Sequence, residues 1–134
     1  MTTDLAALLL RLVVGAIFLA QGHRKILAPA GAPHGRRALI ATIEGRGFPA
    51  AAQLAALVGM CELVGGALVI TGFLTRLAVV PLIITLIIAA VRFKSDAGFV
   101  SGWDWPFSVL GSTAALLLLG GGAYSLDALL RIPI

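Results

Sequence analysis

The sequence predicts an all-α membrane protein, an antiparallel bundle of four transmembrane helices with a short interfacial helix between spans one and two. Three observations carry this reading. Of 134 residues, 60% are hydrophobic and 12% charged, against roughly 25% charged in an ordinary soluble domain, and the mean hydropathy is +1.05. The apolar residues gather into four runs, each near the ~20 residues that cross ~30 Å of hydrocarbon. Only one connection between runs is long. The length allows one domain, read as 1–134.

The first span is placed at 5–22. No basic stretch precedes it and no small-residue cleavage site follows, so it is expected to be retained rather than removed as a signal peptide. The next segment, "HRKILAPAGAPHGRRALIATIEGRGFP", holds a short helix from Gly35 to about Glu44. There Leu39, Ile40 and Ile43 share one side, with Arg37 and Glu44 beside them. Arg36 falls on the apolar face, which suits an interfacial helix anchored by snorkelling basic residues. Two glycines and a proline in "GRGFP" then end it.

Spans two and three are placed at 51–73 and 77–91. The third covers only about 22 Å, but Arg76 and Arg92 flank it and can reach the headgroups. The fourth is placed at 105–124, after "GWDWP", where Pro106 suits the first turn of a helix. Ser125 is read as the cap of a short terminal helix from Leu126 to Arg131.

Basic residues predict the orientation. Arg24, Lys25, Arg36, Arg37, Arg46, Arg92 and Lys94 fall in the loops of one side, and Arg76 and Arg131 on the other. The richer side is expected in the cytoplasm, with both termini outside a cell (inner) membrane. The isoelectric point of about 10.2 then reflects an anionic leaflet. So little of the chain lies outside lipid that nucleic acid is a poor partner.

The polar residues tolerated inside the apolar runs are the candidates for chemistry. A charge near the bilayer centre costs ~2.5–3.5 kcal/mol on the insertion scale. Glu62, in "GMCELVGG", therefore needs a partner or a proton. With antiparallel spans one and two, Arg11 enters about 9 Å from the outer end and Glu62 lies about 15 Å from it, a gap an arginine can bridge. Arg11 and Glu62 are thus read as an intramembrane polar pair, serving either helix register or a proton or quinone site. Gly59, Gly65 and Gly66 fit both, since small residues allow close helix approach or leave room for a flat ligand.

A second cluster is expected at the inner face: His23, Lys25, Arg92, Trp103 and Asp104. Asp104 could neutralise Lys25 or Arg92, and Trp103 and Trp105 also fit an aromatic belt. His23 could donate to a quinone carbonyl or cap a helix end. Cys61 is the sole cysteine, which excludes an intramolecular disulfide or a CxxC centre. His23 and His34 make a poor metal site and a poor haem pair, and no metal is expected. "GGGAYSLD" closes a span and is no phosphate loop.

The pieces "LLLRLVVGAIFLAQGHRKI", "GFP", "GMCELVGGALVITGFLTRLA", "GWDWP" and "YSLDALL" together resemble the DoxX family of small four-span membrane proteins. Two positions depart from the family pattern: "QG" stands where "HG" is common, with His23 following, and Asp104 stands where Glu is common. The resemblance implies membrane-bound redox systems, including a thiosulfate:quinone oxidoreductase, and complexes of oxidative and thiol stress. It carries no cofactor motif or catalytic role to this chain. Arg11, Glu62 and Arg76 match only as polar positions within or beside the spans.

Two functions follow as expectations. One is an integral membrane subunit of a redox complex that binds quinone or couples a partner oxidoreductase to the quinone pool. The other is a non-catalytic anchor or assembly subunit of a larger membrane complex. Quinone is the one cofactor these readings leave open, and the expected partners are lipids with other membrane subunits or further copies of the chain. A small transporter or channel fits less well, because one copy has too few polar positions along any face to line a pore.

Overall fold

The computed structural model describes residues 1–29, 31–93 and 98–133. All regular structure among these residues is helical: α1 (Thr2–Ile26), α2 (Arg36–Gly45), α3 (Ala51–Thr71), α4 (Thr75–Phe93), a π turn (Phe99–Trp103), α5 (Asp104–Leu119) and α6 (Leu126–Leu129). Helices α1, α3 and α4 are long and apolar enough to cross a membrane, and α5 is a shorter apolar helix. Lys94 lies outside the described residues.

The helices outrun the apolar stretches that announce them. Asp4 stands in the first turn of α1 and His23, Arg24 and Lys25 in its last, charges that favour those ends of the helix dipole. Helix α3 ends where Gly72 takes a left-handed φ of 69°. Gly72 N–H then donates to Val69 O at 3.2 Å and Phe73 N–H to Leu68 O at 3.0 Å, the paired bonds of a Schellman ending. Helix α4 continues through Pro81. Helix α5 stops at Leu119, because Gly120 and Gly122 adopt positive φ. The expected fourth span thus loses its last five positions and gains Asp104 at its start, so the helix has sixteen residues, or about 24 Å.

Around the bundle α1 packs on α3, α3 on α4, α4 on α5 and α5 on α1. The shared core contains Val14, Phe18, Val69, Val79, Leu82 and Leu116. Many large apolar side chains point outward instead, among them Leu9, Leu57, Ile84 and Leu118, as expected where the surroundings are lipid. Helix α2 lies against α3 through Ile43, which packs with Ala51 and Ala55.

Glycines set the contact between α1 and α3. Gly15 and Gly22 on α1 and Gly59 and Gly66 on α3 recur at seven-residue spacing, so each pair shares one helix face. A Cβ on Gly66 would lie 2.5 Å from Leu19 N and 2.9 Å from Gly15 O, and one on Gly22 would strike the Leu63 backbone. The helices approach at their backbones, which only glycine permits.

Gly66→Ala should therefore lower stability by roughly 1–3 kcal/mol, the usual cost of overpacking. Gly111→Ala, where an added Cβ meets nothing within 4 Å, should be neutral or stabilising by up to about 1 kcal/mol. Denaturation in detergent micelles compares the two, and equal behaviour would refute the seam.

Candidate functional site

The seam fixes a register in which Gly22 meets Leu63, Gly66 meets Leu19 and Gly15 meets Ile70. Glu62 is then level with about His23, and Arg11 with the end of α3. The two are about twelve positions apart, or about 18 Å along the axis, so the expected Arg11–Glu62 pair does not form. Depth counted from the ends of the apolar runs places the two side by side, but the seam displaces α1 by about two turns from that alignment.

Arg11 is 2% exposed and is held by carbonyl oxygens. Its Nε donates to Val69 O at 3.2 Å and Nη2 to Ile70 O at 3.2 Å. Its Nη1 donates to Gly121 O at 2.6 Å and Tyr124 O at 3.0 Å. A cation belongs at these last carbonyls of α3, which carry the negative end of the helix dipole. Beside it, the Asp127 carboxylate accepts from Leu74 N at 2.6 Å and from Thr75 N and Thr75 Oγ1 at 3.0 Å, capping the start of α4. Ser125 Oγ accepts from Ala128 N at 3.1 Å, so it caps the terminal helix, which spans Leu126–Leu129. Arg76 Nη2 donates to Leu118 O at 3.0 Å, near the end of α5. This end of the bundle is a hydrogen-bonded lock with its polar groups occupied.

Glu62, 7% exposed, finds its partner at the opposite end of α1. Lys25 Nζ donates to both Glu62 oxygens at 2.5 Å. The pair borders a cavity of about 520 Å³, within the ~300–1,000 Å³ usual for small-molecule sites. Gln21, Arg24, His34 and Thr42 supply further polar lining; Phe18, Leu39, Leu86 and Trp105 supply apolar walls. Arg24 Nη2 donates to Gln21 Oε1 at 2.6 Å. Ammonium, carboxylate, amide and imidazole thus line one part of a half-open hollow whose remaining lining is hydrocarbon and indole. Such a site can orient a small planar molecule by its oxygens and exchange protons with it.

The inner-face cluster is only partly assembled. Lys25 lines the cavity, but His23 is exposed on the last turn of α1 and lies outside the lining. His34, from the loop before α2, takes the place expected of it. Trp103 is half-buried and also outside the lining, whereas Trp105 lies within it. Asp104 is exposed and accepts from Trp105 N–H at 2.8 Å. Arg92 sits elsewhere, its guanidinium carbon 5.6 Å from the centre of the Phe48 ring. Among the described residues, Asp104 forms an ion pair with neither Lys25 nor Arg92. Asp127 and Thr42 were not anticipated. Asp127 carried a usable signal, an acid two residues after the capping Ser125, whereas Thr42 carried none apart from the register.

The separation of the two charged centres is measurable. In denaturation cycles, Arg11→Gln and Glu62→Gln should act additively within about 0.5 kcal/mol, while Lys25→Gln and Glu62→Gln should couple by roughly 1–3 kcal/mol. Coupling between Arg11 and Glu62 of the second size would contradict this geometry.

The family model described as DoxX matches residues 6–95. An uncharacterized membrane protein of Mycobacterium tuberculosis, Rv3486, is 39% identical over 117 residues, covering 83% of this chain and 68% of that protein. A Bacillus subtilis protein named "Putative oxidoreductase CatD" is 30% identical over 124 residues, covering 92% of this chain and 86% of that protein. No solved structure matches the chain. With the helical bundle, these matches establish that the chain is a membrane protein belonging to the DoxX family.

Proposed function

We propose that the chain is the membrane subunit of a redox complex and that the cavity at Lys25 and Glu62 binds the headgroup of a quinone, through which a partner oxidoreductase reaches the quinone pool. The observation that carries this reading is the cavity itself, where a buried ion pair and Trp105 face the same space. A quinone carbonyl accepts hydrogen bonds, and Lys25 is a donor at the wall. Reduction of a quinone to a quinol consumes two electrons and two protons; the electrons come from the partner, and Glu62 with Lys25 relays protons. The name of the Bacillus subtilis relative points to redox chemistry in that protein and supports the same class here.

A short-chain quinone analogue should quench tryptophan fluorescence of the purified protein saturably, and Trp105→Phe should remove most of the effect. Lys25→Gln should weaken binding about tenfold, the worth of one charge-assisted hydrogen bond. Unsaturable quenching, or affinity unchanged in Lys25→Gln, would rule the site out.

For orientation, we propose an inner-membrane protein with both termini outside. The segregation of charge supports it: Arg24, Lys25, Arg36, Arg37, Arg46 and Arg92 belong to the end formed by the close of α1, α2 and the close of α4, whereas Arg76 and Arg131 belong to the other. In a Cys61→Ala background, Arg131→Cys should react with an impermeant thiol reagent on intact cells. Arg37→Cys should react only after permeabilisation, and the reverse pattern would invert the topology.

A further inference from the structure

A headgroup site at Lys25 and Glu62 needs a supply of protons as well as room to bind. Glu62 is buried and Lys25 half-buried, and Lys25 Nζ donates to both carboxylate oxygens. With a headgroup seated in the hollow, water is displaced from this pair. Two protons are consumed for each quinone reduced, so they must arrive through a side chain that belongs to the hollow and also meets water.

The polar lining contains few such groups. Gln21 is an amide and has no proton to relay. Arg24 is exposed, but a guanidinium keeps its proton. Thr42 is exposed too, yet its hydroxyl donates to Ala38 O at 2.8 Å within α2. The indole N–H of Trp105 is a donor only. His34 lines the hollow and is exposed, and imidazole takes up and releases protons in the neutral range. Among the described residues of the lining, it alone meets both demands.

The backbone fixes the position of the ring. Ala32 N–H donates to Pro29 O at 2.9 Å and Gly35 N–H to Ala32 O at 3.1 Å, two successive turns between α1 and α2. Within the second, His34 has a φ of 57°, the left-handed region that glycine enters freely and other residues enter at a cost. Glycine or asparagine would suit this turn at least as well. A histidine on such a backbone position, beside a buried ion pair, indicates a use for the ring beyond the turn.

We propose that His34 is the proton inlet of the Lys25–Glu62 site, a role that rests on the quinone reading above. An N–H bond of the imidazolium breaks and its proton crosses the hollow to the Glu62 carboxylate. The Lys25–Glu62 pair hands a proton to a quinone oxygen as the partner's electrons arrive, and the neutral imidazole regains one from water. Two such cycles accompany two electrons, so protons and charge balance. Arg24 and Lys25 of α1 and Glu62 of α3 are the charged groups that border the hollow with His34.

The test uses the purified full chain in excess over a short-chain quinone analogue, so that nearly all of the analogue is bound. A soluble ruthenium photoreductant supplies electrons, and a pH-indicator dye follows proton uptake. In weak buffer His34→Asn should slow uptake about a hundredfold, the lower end of what one positioned acid–base group contributes. Tryptophan quenching should give an affinity for the analogue within about twofold of wild type. The melting temperature should be unchanged or higher, because asparagine accepts a left-handed backbone. Added imidazole should restore uptake in the variant and leave the wild-type rate as it is, a response that a merely structural role does not produce. Uptake by His34→Asn at the wild-type rate, or slowed uptake that imidazole does not restore, overturns the role of His34 and leaves the headgroup site standing. A loss of affinity or a lower melting temperature in His34→Asn also overturns it, since the ring then serves the turn or the ligand directly. Absence of saturable binding to the wild-type chain overturns the headgroup site itself, and the inlet with it.

Discussion

The seam between α1 and α3 decides where every charge in the bundle ends up. Gly15, Gly22 and Gly66 let the two backbones touch while Gly59 makes room for the Ile26 and Lys25 side chains, and a Cβ at Gly22 or Gly66 would collide with backbone atoms of the facing helix. Contacts of backbone with backbone tolerate little sliding, because neither side has a rotamer to adjust. Once that register is set, Arg11 arrives at the last turn of α3 and Lys25 arrives beside Glu62. Neither charge has a choice of partner.

The two ends of the bundle use buried charge differently. At one end Arg11 and Asp127 work on opposite sides of the turn between α3 and α4: the cation takes the closing carbonyls of α3, and the carboxylate takes the opening N–H groups of α4. Asp127 N–H also donates to Gly72 O at 2.9 Å, drawing the C-terminal segment onto that turn. The charges are matched by hydrogen bonds to backbone groups that lipid could not satisfy. At the other end Lys25 and Glu62 satisfy one another beside an open cavity. A pair with space beside it can give up part of its bonding to an incoming molecule, whereas the Arg11 guanidinium, buried with four bonds to carbonyls, has no such space beside it.

Much of the fold was legible because lipid imposes a simple rule, that long apolar runs must be helices. The interfacial helix was legible too, from the shared side of Leu39, Ile40 and Ile43 and from the break at "GRGFP". What could not be read was the relative height of the helices. Depth counted from the ends of the apolar runs treats each helix as starting where its hydrophobicity starts, but α1 extends through polar residues at both ends, Thr2 to Ile26. The seven-residue spacing of the glycines was present in the sequence, yet it fixes a shared face and leaves the partner's height open. The misassigned pair has this cause, whereas the inner-face cluster disperses because His23 stands on an exposed face of α1 and Arg92 lies over Phe48. The end of α5 is a different matter: Gly120 to Gly122 stood in plain sight, and their freedom to adopt positive φ outweighed the apolar character of the run.

Helix α4 separates two hollows of this half of the bundle. One of its faces, with Leu86 and Ala89, borders the polar cavity; another, with Pro81, Ile84 and Ile88, borders an apolar furrow on the lipid side. Thr85 lines both. Its hydroxyl is turned back to Leu82 O at 2.8 Å, which spares the lipid side an unsatisfied donor. Four residues earlier, Pro81 leaves the Leu77 carbonyl without the usual helical N–H donor, so α4 is least reinforced along the stretch that leads to the shared wall. Anything seated in the furrow bears on the same short stretch of helix that closes the cavity. Furrow and cavity therefore share α4 as a wall, while the Asp127 carboxylate caps the far end of that helix.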